Sequence, residues 1–352
     1  MPVSDHKKRL SGLKKAMKDA SLDSFLITNT TNVSYLSGFR GTDAVMLVTA
    51  GKGYFFTDSR YIEEAEKDIS GHLDVRLVEE SIFESINGIV KAERVKNLGF
   101  ESMDMPYGVA SRLKGLLSKT GFVPVKNLVE VLRQVKDGGE IDLIRKAVKL
   151  SKEAFGKVKE LVQPGASEEL IKRKIELDLV NNGASCAFEP IVASGLNSSK
   201  PHARATDRTF RNDDFVMIDM GAKANGYNSD LTRTIVLGRA PKRFAKLYET
   251  VRGAQRKAID RITPGAKASD IDKAGRDYIK KSGFGKYFGH SLGHGVGMDV
   301  HEEPSISALS KTRLTAGMVF TVEPAIYMPG FGGVRIEDMV LVTKSGCEIL
   351  TK

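Results

Sequence analysis

The chain has no tryptophan and only two cysteines, Cys186 and Cys347, among its 352 residues. Two thiols cannot build a disulfide framework, so a bridge-stapled secreted scaffold is excluded and a reducing compartment, the cytoplasm, is expected. No apolar run approaches the about 18 residues that a membrane-crossing helix needs, so no membrane partner is expected. The amino-terminal stretch MPVSDHKKRLSGLKKAM lacks both an apolar core and a small-residue cleavage site, and export is not expected. Dense arginine interleaved with aromatics is also missing. The net charge is +10, but the lysines are scattered in short runs such as Lys7-Lys8, Lys14-Lys15 and Lys280-Lys281. That is the pattern of a solvated surface, and a nucleic-acid partner is not expected.

What is present is ordinary for a globular protein, with 41% hydrophobic and 28% charged residues over a length that suggests two domains. The first third alternates short apolar runs with helical spacing. Helices are expected over Lys7–Ala20, from Asp58, over Ile82–Val90 and over Val109–Leu117. Strands are expected at Ser24–Thr28, Val45–Val48, Gly53–Thr57, Val75–Val78, Asn97–Phe100 and Phe122–Val125. This is an α/β pattern. At RQVKDGGE the pattern changes to turn residues and then a long helix, which places the domain boundary near Val135: 1–135 and 136–352.

The second part repeats itself. KEAFGKVKELVQPGASEEL (152–170) and RGAQRKAIDRITPGAKASD (252–270) share Ala154, Lys157, Pro164, Gly165 and Ala166 with the residues 100 positions later. Each copy reads as a helix ended by Pro-Gly, then a second helix with Ser167 or Ser269 as N-cap. Each is followed by a strand pair rich in acids, Phe215–Leu237 and Met318–Val342. Duplication predicts a pseudo-two-fold domain with its site between the halves.

The acids are the chemical signal. DFVMIDMG reads as a buried strand with Asp219 inside it, and SDLTRTIVLG returns with Asp230 near its start. VFTVEPAIY and GGVRIEDMVLV repeat the arrangement with Glu323 and Glu337. Spacings of 11 and 14 residues both suit two strands joined by a turn. A buried carboxylate without a partner is strongly disfavoured. Two side by side repel unless a proton or a cation lies between them. Any one acid alone reads more simply as a salt bridge or a strand-end cap, but Arg335 can neutralise one, not four. Three of the six histidines, His290, His294 and His301, crowd into GHSLGHGVGMDVHEEP, while His202 follows Pro201 in a polar loop. Oxygen-rich donors with one imidazole suit manganese, cobalt, zinc or iron. Four carboxylates exceed the needs of one ion. Two ions about 3.5 Å apart use them all, and such a pair activates water and polarises a carbonyl.

With these residues in hand, the chain resembles the Xaa-Pro peptidases, prolidase and aminopeptidase P, of the pita-bread metallopeptidase group that also holds methionine aminopeptidase and creatinase. The blocks FEPIVASGLNSSKPHA, IDMGAKANGYNSDLTRT, GHSLGHGVGMDVHEEP, VFTVEPAIY and GVRIEDMVLV match the group's motifs in order. TNTTNVSYLSGFRGTDAVMLVT and YFFTDSRY match the amino-terminal domain of its prolidase and creatinase branch. The departures, Ala184–Ala187 in place of a serine-rich run and Met298 in place of leucine, bear on pocket shape. The implied fold is α+β: a creatinase-like α/β domain followed by a duplicated pita-bread domain.

The resemblance implies five metal ligands, Asp219, Asp230, His294, Glu323 and Glu337, for two divalent ions, Mn(2+) or Co(2+) before Zn or Fe. Asp230 and Glu337 match the bridging carboxylates; His294 and Glu323 match ligands of one ion and Asp219 of the other. Glu323 also matches the proton carrier. His202 and His301 match histidines that contact substrate and steady the tetrahedral intermediate, and His290 one near the proline side. Arg335 lies on the substrate side and matches an arginine paired with a ligand carboxylate. The implied reaction is hydrolysis of the bond before proline at the start of dipeptides or short peptides. That bond has no N–H to grip, and its trans form is the expected substrate. A dipeptide is favoured over the longer peptides of aminopeptidase P, and a homodimer is implied. A creatinase-type small substrate, methionine aminopeptidase and a non-catalytic binding relative are the alternatives. The extra domain argues against the second and the intact ligand set against the third.

Overall fold

A computed structural model describes residues 6–69, 71–117, 119–239 and 241–352. The first five, part of the stretch read for a leader, lie outside the described residues. Two compact units divide the chain, residues 1–133 and 134–352.

The first unit is built on a six-stranded sheet ordered Asp74–Leu77, Gly53–Thr57, Ala44–Thr49, Ser24–Ile27, Asn97–Glu101, Gly121–Val125. The middle strands pair antiparallel and the outer ones parallel. Leu26, Leu47, Phe56, Leu98 and Phe100 pack on Ile86, Val90 and Leu113 of flanking helices. The helix read from Asp58 starts at Ile62. The short helix Leu128–Arg133 has no counterpart in the sequence reading, and neither has Thr30–Ser37. Its TTNVSYLS lacks an apolar period, and it is held by its ends instead. The Asn29 side chain accepts from Asn32 N, and Gly38 closes the helix at φ +86°. Glu101 accepts from the backbone N–H groups of Thr28 and Asn29, both at 2.7 Å. Burial pushes the Glu101 carboxyl up to about 7 even though these donors oppose the shift.

The second unit repeats one arrangement. A helical hairpin, Gly138–Leu161 with Glu168–Asn181, backs a three-stranded sheet ordered Leu231–Val236, Phe215–Met220, Ile191–Ser194. A second hairpin, Lys242–Ile259 with Ala268–Lys281, packs against a five-stranded sheet ordered Glu302–Ile306, Gly293–Gly295, Val319–Val322, Asp338–Val342, Cys347–Ile349. Ile171, Ile175 and Leu179 bury against Val192, Val216 and Ile218 in one half. Phe244, Val251 and Ile271 bury with Phe320, Val322 and Val340 in the other. Among the described residues, backbone bonds between the halves include the bridge of Thr232 with Glu337 and Asn228 N to Gly297 O at 2.8 Å.

The copies differ at their helix starts. Ser167 caps the first, accepting from Leu170 N at 3.2 Å. Ser269 is not a cap: the second helix begins at Ala268, and Lys267 holds the cap position without a side-chain bond. The cause is the backbone frame. Lys267 pairs with Arg313 as Ser167 pairs with Thr209, so the position 100 residues on from Ser167 is the one kept extended.

Candidate metal centre

Each candidate acid sits where a strand ladder begins, ends or breaks. Asp219 lies in Phe215–Met220 opposite Thr232, and Asp230 immediately precedes Leu231–Val236. The second pair is one long hairpin interrupted in the middle. Val319–Val322 pairs with Asp338–Val342, and Ala325–Met328 with Gly332–Arg335. The gap leaves Glu323 on one strand and Glu337 on the other. Pro324, which lacks an N–H, fits the interruption. His294 is the centre of the short strand Gly293–Gly295. Its neighbours must be small: a Cβ on Gly293 would lie 1.9 Å from Thr321 O, and one on Gly295 would lie 2.3 Å from Glu303 O.

These elements converge. Ligand atoms of Asp230, His294 and Glu337 lie within 4.8 Å of one another. His294 Nε2 is 3.3 Å from Glu323 Oε1 and 3.7 Å from Asp230 Oδ2. His290 Nδ1 stands 4.0 Å from Glu323 Oε2. The rings of His294 and His301 are 4.1 Å apart. Asp219 is not in the group of three formed by Asp230, His294 and Glu337, and its Oδ2 is bonded by Arg335 Nη2. His202 is exposed, and its predecessor joins the cluster, because Pro201 O accepts from Arg335 Nη1 at 3.2 Å.

Three side chains absent from the sequence reading complete the frame. Thr232 Oγ1 donates to Glu337 Oε2 at 2.6 Å and accepts from Arg335 Nε at 3.0 Å. Thr321 Oγ1 donates to Glu323 Oε1 at 3.1 Å and accepts from His294 N at 3.1 Å. Tyr327 takes Arg335 Nη1 on its hydroxyl at 2.5 Å, and its ring faces His290 at 5.7 Å. All three stand two or four residues from a candidate acid. A period-two count along the strands would have put them on the same face.

The electrostatics favour a cation. Burial, then the charges of Glu337, Asp219 and Glu323, push the Asp230 carboxyl well above the usual range. Glu337 is pushed well up by burial and by Glu323 and Asp219. Burial raises Asp219 as well, against the pull of Arg335. Glu323 goes the other way: burial would raise it, but the hydrogen bond and charge of His294, with the charges of His290 and Arg335, lower it. His294 is correspondingly raised, Glu323 overcoming burial. His290 and His301 are lowered, chiefly by burial. Burial pushes Tyr327 up to about 12. Asp219 Oδ1 and Asp230 Oδ1 are both enclosed with no hydrogen-bond partner. Orphaned buried carboxylate oxygens, together with the grouped ligand atoms of Asp230, His294 and Glu337, make a donor set that fits divalent metal.

Comparison with known proteins agrees with this chemistry. Residues 142–344 match the model of metallopeptidase family M24, and residues 9–135 match the creatinase/prolidase N-terminal domain. The Xaa-Pro dipeptidase of Pyrococcus horikoshii is 38% identical, with 96% of this chain and 94% of that protein aligned. Among solved structures, Xaa-Pro dipeptidase from Bacillus anthracis superposes with a TM-score of 0.95 at 37% identity, covering 99% of this chain and 98% of that one. X-Pro aminopeptidase from Thermotoga maritima gives 0.87 at 32% identity, covering 96% and 97%. The chain therefore belongs to metallopeptidase family M24 and is a hydrolase whose pita-bread domain follows a creatinase/prolidase N-terminal domain.

Proposed function

We propose that this protein cleaves the peptide bond before proline at the amino end of small peptides, with Xaa-Pro dipeptides favoured. The observation that carries the reading is the enclosed set of four carboxylates and His294, two of whose oxygens lack any partner. The names of the relatives supply the substrate class. Those named for dipeptides include the more similar ones, while the Thermotoga maritima enzyme keeps a longer peptide as the second reading.

In this proposal Asp219, Asp230, His294, Glu323 and Glu337 hold two divalent ions, manganese or cobalt before zinc or iron. Bound there, the ions lower the pKa of water and polarise a carbonyl. The protein's own groups do the rest. Arg335 fixes the orientation of Asp219, and Thr232 that of Glu337. Glu323, aimed by Thr321 and His294, takes a proton from the attacking water. It delivers that proton to the departing proline nitrogen as the C–N bond breaks. His301 and His202 steady the oxyanion, and His290 with Tyr327 forms the wall against the proline ring. Residues 136–352 form the catalytic domain and 1–135 the amino-terminal one.

A cytoplasmic homodimer is part of the proposal. Cys186 and Cys347 are both free thiols, in keeping with a reducing compartment. No described helix is long and apolar enough to cross a membrane.

The test compares Ala-Pro with Ala-Pro-Gly, each with Mn(2+) and Co(2+), for the wild type and Glu323→Ala. The wild type should cleave Ala-Pro faster, and the variant should lose roughly 10²–10⁴-fold. Undiminished cleavage by the variant would remove Glu323 from the mechanism. A wild type inert with every divalent metal would remove the function.

A further inference from the structure

The loop that carries His202 runs along the metal centre, and one carboxylate outside that centre gathers its two ends. On the inner side the loop is tied to the second half. Ser198 Oγ accepts from Gly333 N at 2.8 Å, and Pro201 O accepts from Arg335. On the outer side stands Glu168, fully buried at the first position of the helix Glu168–Asn181. Its Oε1 accepts from Ser194 N and Ser194 Oγ, both at 2.7 Å. Its Oε2 accepts from Asn197 Nδ2 at 3.0 Å, Thr206 N at 3.0 Å and Thr206 Oγ1 at 2.7 Å.

Three of the five partners, Ser194 N, Thr206 N and Asn197 Nδ2, are N–H groups that can only donate, so both carboxyl oxygens serve as acceptors. None of the five belongs to the helix that Glu168 begins, whose first turn is already capped by Ser167. Ser194 and Thr206 bracket the loop, and Asn197 lies within it. The fold itself does not require such a group. At the equivalent place in the second half stands Ala268, whose backbone makes the same bond, N–H to Thr312 O, that Glu168 makes to Arg208 O.

We propose that Glu168 is a positioning residue for the reaction: it fixes the loop 195–206 from behind and so sets where His202 meets the substrate. This rests on the reading of His202 as a substrate-contacting group.

The test is a double-mutant cycle on the metal-loaded enzyme with Ala-Pro, using Glu168→Gln and His202→Ala. The Gln side chain places an amide N–H₂ among donors. Glu168→Gln should lose about 10–100-fold in kcat/KM and share the KM-against-kcat split of His202→Ala. The double variant should be no worse than His202→Ala alone, because one acts through the other. Thr206→Val, which removes a single hydroxyl donor, should reproduce the pattern more weakly. Hydrogen exchange needs no turnover: amides in 195–206 should exchange about tenfold faster in Glu168→Gln, with the helix Gly138–Leu161 unchanged. Losses that multiply in the cycle, or exchange in 195–206 that stays as in the wild type, would overturn the proposal. A wild type that cleaves no Xaa-Pro peptide removes the functional reading instead. The exchange result then still decides whether Glu168 holds the loop.

Discussion

At Gly165 and again at Gly265 the chain enters the left-handed region, at φ +93° and +86°. Each turn then pairs back to a distant segment, Gly165 N to Phe210 O in one half and Gly265 N to Leu314 O in the other. The two backbones are the same device, and their side chains have diverged. The first half grips its histidine-bearing loop with the carboxylate of Glu168, and its ion pair, Arg208 with Asp214, reaches the same place only through Ser194 Oγ. The second uses an ion pair directly. Asp272, fully buried, takes Arg276 Nη2 at 2.7 Å and Nε at 2.8 Å and also accepts from Leu292 N at 3.1 Å. Arg276 in turn donates to Phe288 O at 3.2 Å and His290 O at 2.7 Å. Duplication thus preserved how each half places a loop at the centre and left open which charge does the holding.

The severest challenge to the pairing of halves is to neutralise one matched acid from each. Asp230→Asn and Glu337→Gln should each lower kcat/KM by on the order of 10²–10³-fold and reduce the divalent metal bound per chain, measured by elemental analysis. If either variant kept its metal and activity, the halves would not share the centre equally. A smaller effect is expected where the second half holds its loop. Asp272→Asn keeps the shape but weakens the grip on Arg276 and should cost about 2–3 kcal/mol of stability by denaturant melting. It should also slow cleavage by roughly tenfold as His290 shifts. A variant with full stability would show that the ion pair is ornamental. The smallest effects lie at the helix starts. Ser167→Ala should cost about 1 kcal/mol, and Lys267→Ser should gain up to about that much by supplying the missing cap. Equal and opposite shifts in urea midpoint would show that the two starts differ only in that side chain.

Much of this site could be read from the sequence because its chemistry is local to short strands. Asp219, Asp230, Glu323 and Glu337 announce themselves as acids in apolar runs, and His294 by the glycines around it. The repeat was legible at Pro164-Gly165 and Pro264-Gly265, where a turn constrains residue type. What stayed hidden depends on contacts far apart in the chain. Glu168 reads as an ordinary first-turn acid, and only the fold brings Ser194, Asn197 and Thr206 to it. The helix Thr30–Ser37 escaped for a similar reason. Its start is fixed by Glu101, some seventy residues away, and its own residues carry no period. Ser269 misled because its neighbour Lys267, not Ser269, is the residue that the bridge to Arg313 holds extended.

The hydroxyl of Thr232 sits on the seam, accepting from a guanidinium that can only give and donating to a carboxylate. Its single proton therefore has a fixed compass bearing. A valine of the same outline would keep the packing and leave Arg335 Nε and Glu337 Oε2 each without this partner. A serine would keep the bearing but loosen the rotor that a branched Cβ restrains. The join between two duplicated halves is in this sense polarised. It can be assembled in one electrical direction only, from the arginine of the second half, through the threonine of the first, and back to the second half's glutamate.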